Sequence, residues 1–150
     1  MTVDRLIDNF AADLAAAGAY IERHDHEKNI VALDARLPDL LPPPFRSLVM
    51  RYSFLAFEIG TLQVFGNTGE EDHEEWSYSL FADKILSPAL LTHGYIQFAR
   101  LKTGSYDPIC FDTKRKRGDG ESPIVWIDHE GILCYDQIVV RGELAPSFVQ

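Results

Sequence analysis

Helical periodicity and strand-like runs share this chain, so the sequence predicts the α+β class. Three observations carry that prediction. Val3, Leu6, Ile7, Phe10, Ala11 and Leu14 recur at three- and four-residue spacing, which is one apolar stripe of a helix. Three short apolar and aromatic runs then follow one another between residues 94 and 130, each bounded by Gly, Pro or Asp. Such a series reads as an antiparallel meander. Between the two regions, Pro42-Pro43-Pro44 leads into Phe45, Leu48 and Val49.

In chain order, Thr2 is placed to cap the first helix and Gly18 to end it. Residues 19–29 are polar and read as a loop. His24 and His26 would share one face of a strand as a metal pair, but no Cys or further His stands at ligand spacing, so loop histidines are the better reading. Ile30, Val31, Leu33 and Leu37 read as a short helical segment stopping before Pro38. The prolines at 42–44 are restricted to extended backbone and tolerated in a first helical turn, so they form an extended entry into a helix of about two turns. Phe45, Leu48 and Val49 face the core from it. A Pro-rich peptide ligand is the alternative, disfavoured by the flanking core residues.

Aromatic and β-branched residues from Tyr52 to Phe65 read as strands at 53–58 and 61–65, with a tight turn at Ile59-Gly60. Gly66-Asn67-Thr68-Gly69 is a turn signal. Glu70, Glu71, Asp72, Glu74 and Glu75 flank His73, and Trp76 and Leu80 suggest a short helix that Ser87-Pro88 ends. The meander strands are expected at 94–99, 106–112 and 123–130. Beyond Gly131, residues 132–135 and 137–140 read as two strands, or as one strand and a connection. From Gly142 a closing helix is expected.

Length and composition place the chain as a single domain over residues 1–150 with room for a core. No run of about 18 or more apolar residues occurs, so no membrane span is expected. The first residues lack a basic region followed by an apolar core, and two cysteines make no disulfide framework. These features together point to a cytoplasmic protein. The formal net charge is −9, although Lys114-Arg115-Lys116-Arg117 concentrates positive charge in one place. A surface of this sign repels nucleic acid and suits a basic partner, and it also serves solubility.

Candidate chemistry is sparse. The phosphate-cradling glycine loop, the nucleophile elbow and the zinc-binding helix motif are all missing from the sequence. Cys110, between Ile109 and Phe111, reads as a packed thiol, since a nucleophile needs a base and an exposed electropositive niche. Asp128-His129-Glu130, with Asp107 and Asp112 on neighbouring strand ends, is the cluster suited to a divalent metal or acid–base work. Along a strand, Asp128 and Glu130 would share a face and His129 would point away. The basic run lacks interleaved aromatics and reads as a solvated hairpin loop. The acidic run before Trp76 differs in kind, because dense like charge on a loop suits the rapid steering of a basic protein.

The order of these pieces resembles the SUKH superfamily, typified by the yeast Smi/Knr-type cell-wall regulators and their bacterial relatives. The residues that carry the resemblance are Leu41-Pro42 with Phe45 and Leu48, Gly60, the strand Gly94-Tyr95-Ile96-Gln97-Phe98-Ala99, and Gly104 with Asp107. Ile109-Cys110-Phe111-Asp112, the run from Pro123 through Trp126 to Asp128-His129-Glu130, and Ala145 with Ser147-Phe148 complete it. It spans residues 38–149. The first 37 residues and the region between Gly66 and Ser87 depart from it. The resemblance implies an antiparallel or mixed sheet of five to six strands, packed with helices on one side. It also implies a non-enzymatic role without cofactor or metal, because bacterial members are typically immunity proteins that bind and neutralise toxins, often nucleases. Others are regulatory interaction modules. No contact residue carries over by motif. The partner-binding residues are therefore read from charge, as Glu70, Glu71, Asp72, Glu74 and Glu75. A metal-dependent hydrolase using Asp107, Asp112, Asp128 and His129 is the remaining alternative.

Overall fold

The computed structural model describes residues 2–25, 34–67, 86–102 and 107–148. Helix α1 spans Val3–Ala16. The Thr2 hydroxyl accepts from the Arg5 N–H at 3.2 Å, and Gly18 takes the left-handed conformation that releases the chain. A short strand β1, Ile21–Arg23, follows where the sequence predicts a loop. It exists because β2, Tyr52–Phe54, supplies an antiparallel partner, which three residues of mixed polarity do not announce by themselves. His26 and residues 30–33 of the helical segment expected up to Leu37 lie outside the described residues.

Helix α2, Pro43–Arg51, begins with two prolines in its first turn, where no N–H is needed. It buries Phe45, Leu48 and Val49, as the sequence predicts. The strand expected over 53–58 is two strands. β2 pairs with β1, and β3, Phe57–Ile59, pairs with β4, Leu62–Val64, across a turn at Gly60. The expected turn at Gly66-Asn67 explains the break. The Asn67 side chain accepts from the Phe54 N–H and donates to the Val49 and Tyr52 carbonyls, while its own N–H reaches the Phe54 carbonyl. The 66–67 segment thus occupies the backbone groups that a continuous strand would offer. Gly66 lies so close that a Cβ there would stand 2.7 Å from the Phe54 carbonyl oxygen. The acidic run 70–75, Trp76 and Leu80 lie outside the described residues.

The helix that Ser87-Pro88 is expected to end lies outside the described residues, and helix α3, Leu86–Thr92, follows it in the chain. Pro88 sits in the first turn, where its ring is tolerated. The meander follows as β5, Tyr95–Leu101, β6, Pro108–Asp112, and β7, Ile124–Ile127. β7 stops before residue 130 because Asp128 caps a helix, its carboxylate accepting from the Glu130 N–H at 3.0 Å. That helix, α4, spans His129–Tyr135, where a strand was expected. Asp136 ends it in the left-handed region. The helix expected from Gly142 is instead the strand β8, Val140–Ala145, which pairs with β7. An exposed backbone edge on β7 decided the matter over local propensity.

All six strands of the main sheet are antiparallel, in the order β3-β4-β5-β6-β7-β8, beside the two-stranded β1-β2 sheet. The α+β class and a six-stranded antiparallel sheet agree with the sequence. Alternation along β5 to β7 sends Ile96, Phe98, Ile109, Phe111 and Ile124 into the larger core with Ile7 of α1 and Phe45 and Leu48 of α2. Phe98 and Phe111 stack at 4.3 Å, and Phe45 tilts against both. The sequence places helices on one side of the sheet; α1 and α2 pack against one face, and α3 and α4 against the other. A second, smaller cluster forms opposite, where Leu90 of α3 and Ile132 of α4 meet Tyr95, Cys110, Val125 and Ile127.

Candidate functional site

Four elements converge on one carboxylate. Asp107 immediately precedes β6 and is 0% exposed. Its Oδ1 accepts from the His129 backbone N–H at 3.1 Å and lies 2.5 Å from the His129 Nδ1. Its Oδ2 accepts from the Trp126 indole N–H at 2.7 Å and from Arg141 Nη1 at 3.5 Å. Arg141 also lies over the Trp126 ring, 4.9 Å from its centroid. A buried carboxylate is costly unless it is hydrogen-bonded and compensated by positive charge. Here β7 supplies an indole, the first turn of α4 an amide and an imidazole, and β8 a guanidinium.

The structure brings together three of the sequence-predicted residues. Asp107, Asp128 and His129 each offer one ligand atom, all within 4.8 Å of one another. The expected face geometry is overturned. The chain has left the strand by Asp128, so His129 turns toward Asp107 instead of away from it. Asp112 is at the far end of β6, engaged by Lys114 Nζ at 3.0 Å and Arg115 Nε at 3.1 Å. It does not join the cluster, and neither does Glu130. The sequence reading missed Trp126 and Arg141 as partners of Asp107. Nothing local marks Arg141, because β8 itself was read as a helix.

One histidine and two carboxylates are donors that suit a divalent transition metal. Asp107, however, already has two donors on each oxygen, and Asp128 accepts the capping bond from Glu130. A metal would have to displace these bonds. The geometry is that of a clamp joining β6, β7, α4 and β8.

Two other candidate centres are engaged in the fold. Cys110 is 0% exposed, and burial pushes its thiol far above the ordinary range, so the nucleophilic thiolate is suppressed. The basic run is a 3-10 turn, Thr113–Arg115, and its continuation. Lys114 lies 3.4 Å from the Tyr95 ring centroid and donates to the His93 carbonyl. Arg115 bridges Asp112 and Glu143, Lys116 pairs with Asp39 and Arg117 with Asp119. Glu143, then Asp112, hold the Arg115 guanidinium above its usual range. A patch answered by acids at every position is poorly suited to gripping phosphates.

Among the described residues, no helix is long and apolar enough to cross a membrane. A scan of the chain against protein-family models returned no match, and no curated protein proved similar to it.

Proposed function

We propose that this chain is a non-enzymatic, cytoplasmic protein-binding domain of the immunity type, which neutralises a cognate toxin by direct binding. One observation carries the proposal. The four basic residues at 114–117 all have acidic partners among the described residues, so this run is engaged within the domain, while the chain as a whole carries a net charge of −9. A net charge of this sign suits a basic protein partner, such as a nuclease domain whose own surface is built to hold nucleic acid. The engagement of Asp107, Cys110 and the basic run in the fold supports a role without catalysis.

In this reading Glu70, Glu71, Asp72, Glu74 and Glu75 steer the partner, and apolar contacts hold it. The test is co-expression with the toxic domain encoded by a neighbouring gene. Survival of the host supports the reading, and killing unaffected by this chain overturns it. With a partner in hand, neutralising the five carboxylates together should lower the association rate and its salt dependence. An unchanged rate at low salt removes that run from the interface. Where no toxic domain is encoded nearby, the same surface serves a regulatory interaction module.

The convergence of Asp107, Asp128 and His129 favours one further reading, a metal-dependent hydrolase. Calorimetric titration with zinc, manganese and calcium decides it, because absence of any heat of binding eliminates the hydrolase.

A further inference from the structure

A second buried carboxyl, far less well satisfied than Asp107, lies in the connection between β6 and β7. Glu121 is 6% exposed, and Ser122 and Ser147 beside it are each 1% exposed. Glu121 Oε1 and both serine hydroxyls make no hydrogen bond among the described residues. Native interiors satisfy nearly all such groups, so three together mark a place where the structure does something besides packing. Glu121 Oε2 has one donor, the Phe148 backbone N–H, at a long 3.4 Å.

The two sides of this contact differ in how firmly they are held. On the Glu121 side, its N–H donates to the Asp119 carboxylate at 3.0 Å, and its carbonyl accepts from the Arg117 N–H at 2.8 Å. Gly120 rests against Pro43 of α2. On the other side, Ala145 is the last residue of β8 in register with β7. Beyond it, residues 146–148 are held by the Phe148 amide on Glu121 and by the Phe148 ring. That ring packs 5.3 Å from Phe45, 5.9 Å from Phe10 and 6.0 Å from Phe98. If Glu121 is to reach water, residues 146–148 are the part able to yield.

We propose that Glu121 is a protonation-controlled latch on residues 146–148, closed when its carboxyl is neutral and loosened when it ionises. Burial pushes the Glu121 carboxyl above its ordinary range. The Phe148 N–H acts the other way, Asp119 reinforces the rise, and Arg117 opposes it. The Ser147 hydroxyl also favours ionisation, although its geometry falls short of a hydrogen bond. The rings packed on Phe148, from α1, α2, β5 and β6, bring no charge. A neutral carboxyl tolerates this setting, whereas an ionised one with a single long donor does not. Loosening the latch frees Phe148 from the aromatic cluster and leaves that cluster open to an incoming apolar side chain.

The test is amide hydrogen exchange on the full chain at about pH 5 and about pH 8, corrected for intrinsic rates. Central-strand amides such as Phe98 and Phe111 serve as reporters of global opening. The expected result is a several-fold loss of protection at Ser147 and Phe148 as pH rises, with the central strands unchanged, and no such loss in Glu121→Gln. Protection at Ser147 and Phe148 that does not vary with pH in the unmodified chain overturns the latch. So does an equal loss in the central strands, or the same loss in Glu121→Gln.

Discussion

Asp107 and Glu121 are both buried carboxyls, and they stand at opposite ends of satisfaction. Asp107 draws donors from three neighbouring elements, one of them a permanent cation. Glu121 has one long bond and an oxygen with no donor among the described residues. Burial alone therefore says little about a charged group's role. What decides is whether the surroundings replace the water that was lost. At Asp107 they do, and the group becomes a clamp. At Glu121 they do not, and the group becomes sensitive to pH.

Removing the better-satisfied carboxyl tests this contrast most severely. Asp107→Ala removes the acceptor of the Trp126 indole and the His129 amide at once, and the counter-charge of the half-exposed Arg141 guanidinium. Stability should fall by about 3–5 kcal/mol in urea unfolding. A loss below about 1 kcal/mol would mean that water reaches the site and that the clamp is weak. Trp126→Phe keeps most of the ring and removes one donor, so about 1–2 kcal/mol is expected by the same measurement. The guanidinium and the His129 amide remain to compensate the charge.

Glu121→Gln should act in the opposite direction. The raised pKa of Glu121 means that its favourable contribution is complete below its unfolded value, near 4.5, and is lost as pH rises through the folded value. The glutamine cannot ionise, so thermal melts should show a gain of about 1 kcal/mol at about pH 8 and little at about pH 5. Equal melts for both proteins at the higher pH would place Glu121 with Asp107 as a satisfied group. The smallest effect is expected at the surface pair Lys116–Asp39, whose side chains are both about one-third exposed. Lys116→Ala should cost less than about 1 kcal/mol, and less still in high salt.

The same division separates what could be read along the chain from what could not. The stripe from Val3 to Leu14, the proline entry to α2 and the turn at Gly60 are local signals, and each appears where it was expected. The three meander strands also appear, because each carries its own apolar run and its own boundary. The region after Asp128 was misread. Ile132, Leu133 and Tyr135 cover too few residues for periodicity to separate helix from strand. The available signal is the pair Asp128 and Glu130, a cap and an acidic first turn, which along the sequence is indistinguishable from strand-end charge. A strand through 128–130 would turn His129 away from Asp107 and a helix from Gly142 would remove Arg141 from reach, so only part of the Asp107 cluster is legible along the chain.

By itself the sequence determined the class of the fold, its first two helices, its three central strands and the burial of Cys110, since these depend on patterns within a few residues. Only the tertiary structure decided that β7 recruits β8, that Asp128 starts a helix and that Asp107 meets Trp126, His129 and Arg141. It alone separated Asp112 from that cluster and paired the basic run with Asp39, Asp112, Asp119 and Glu143. The physical reason is common to all of these. A free strand edge, a buried charge and an ion pair are each satisfied by whichever group the fold brings near, and that group lies up to 77 positions away in the chain, as Lys116 does from Asp39.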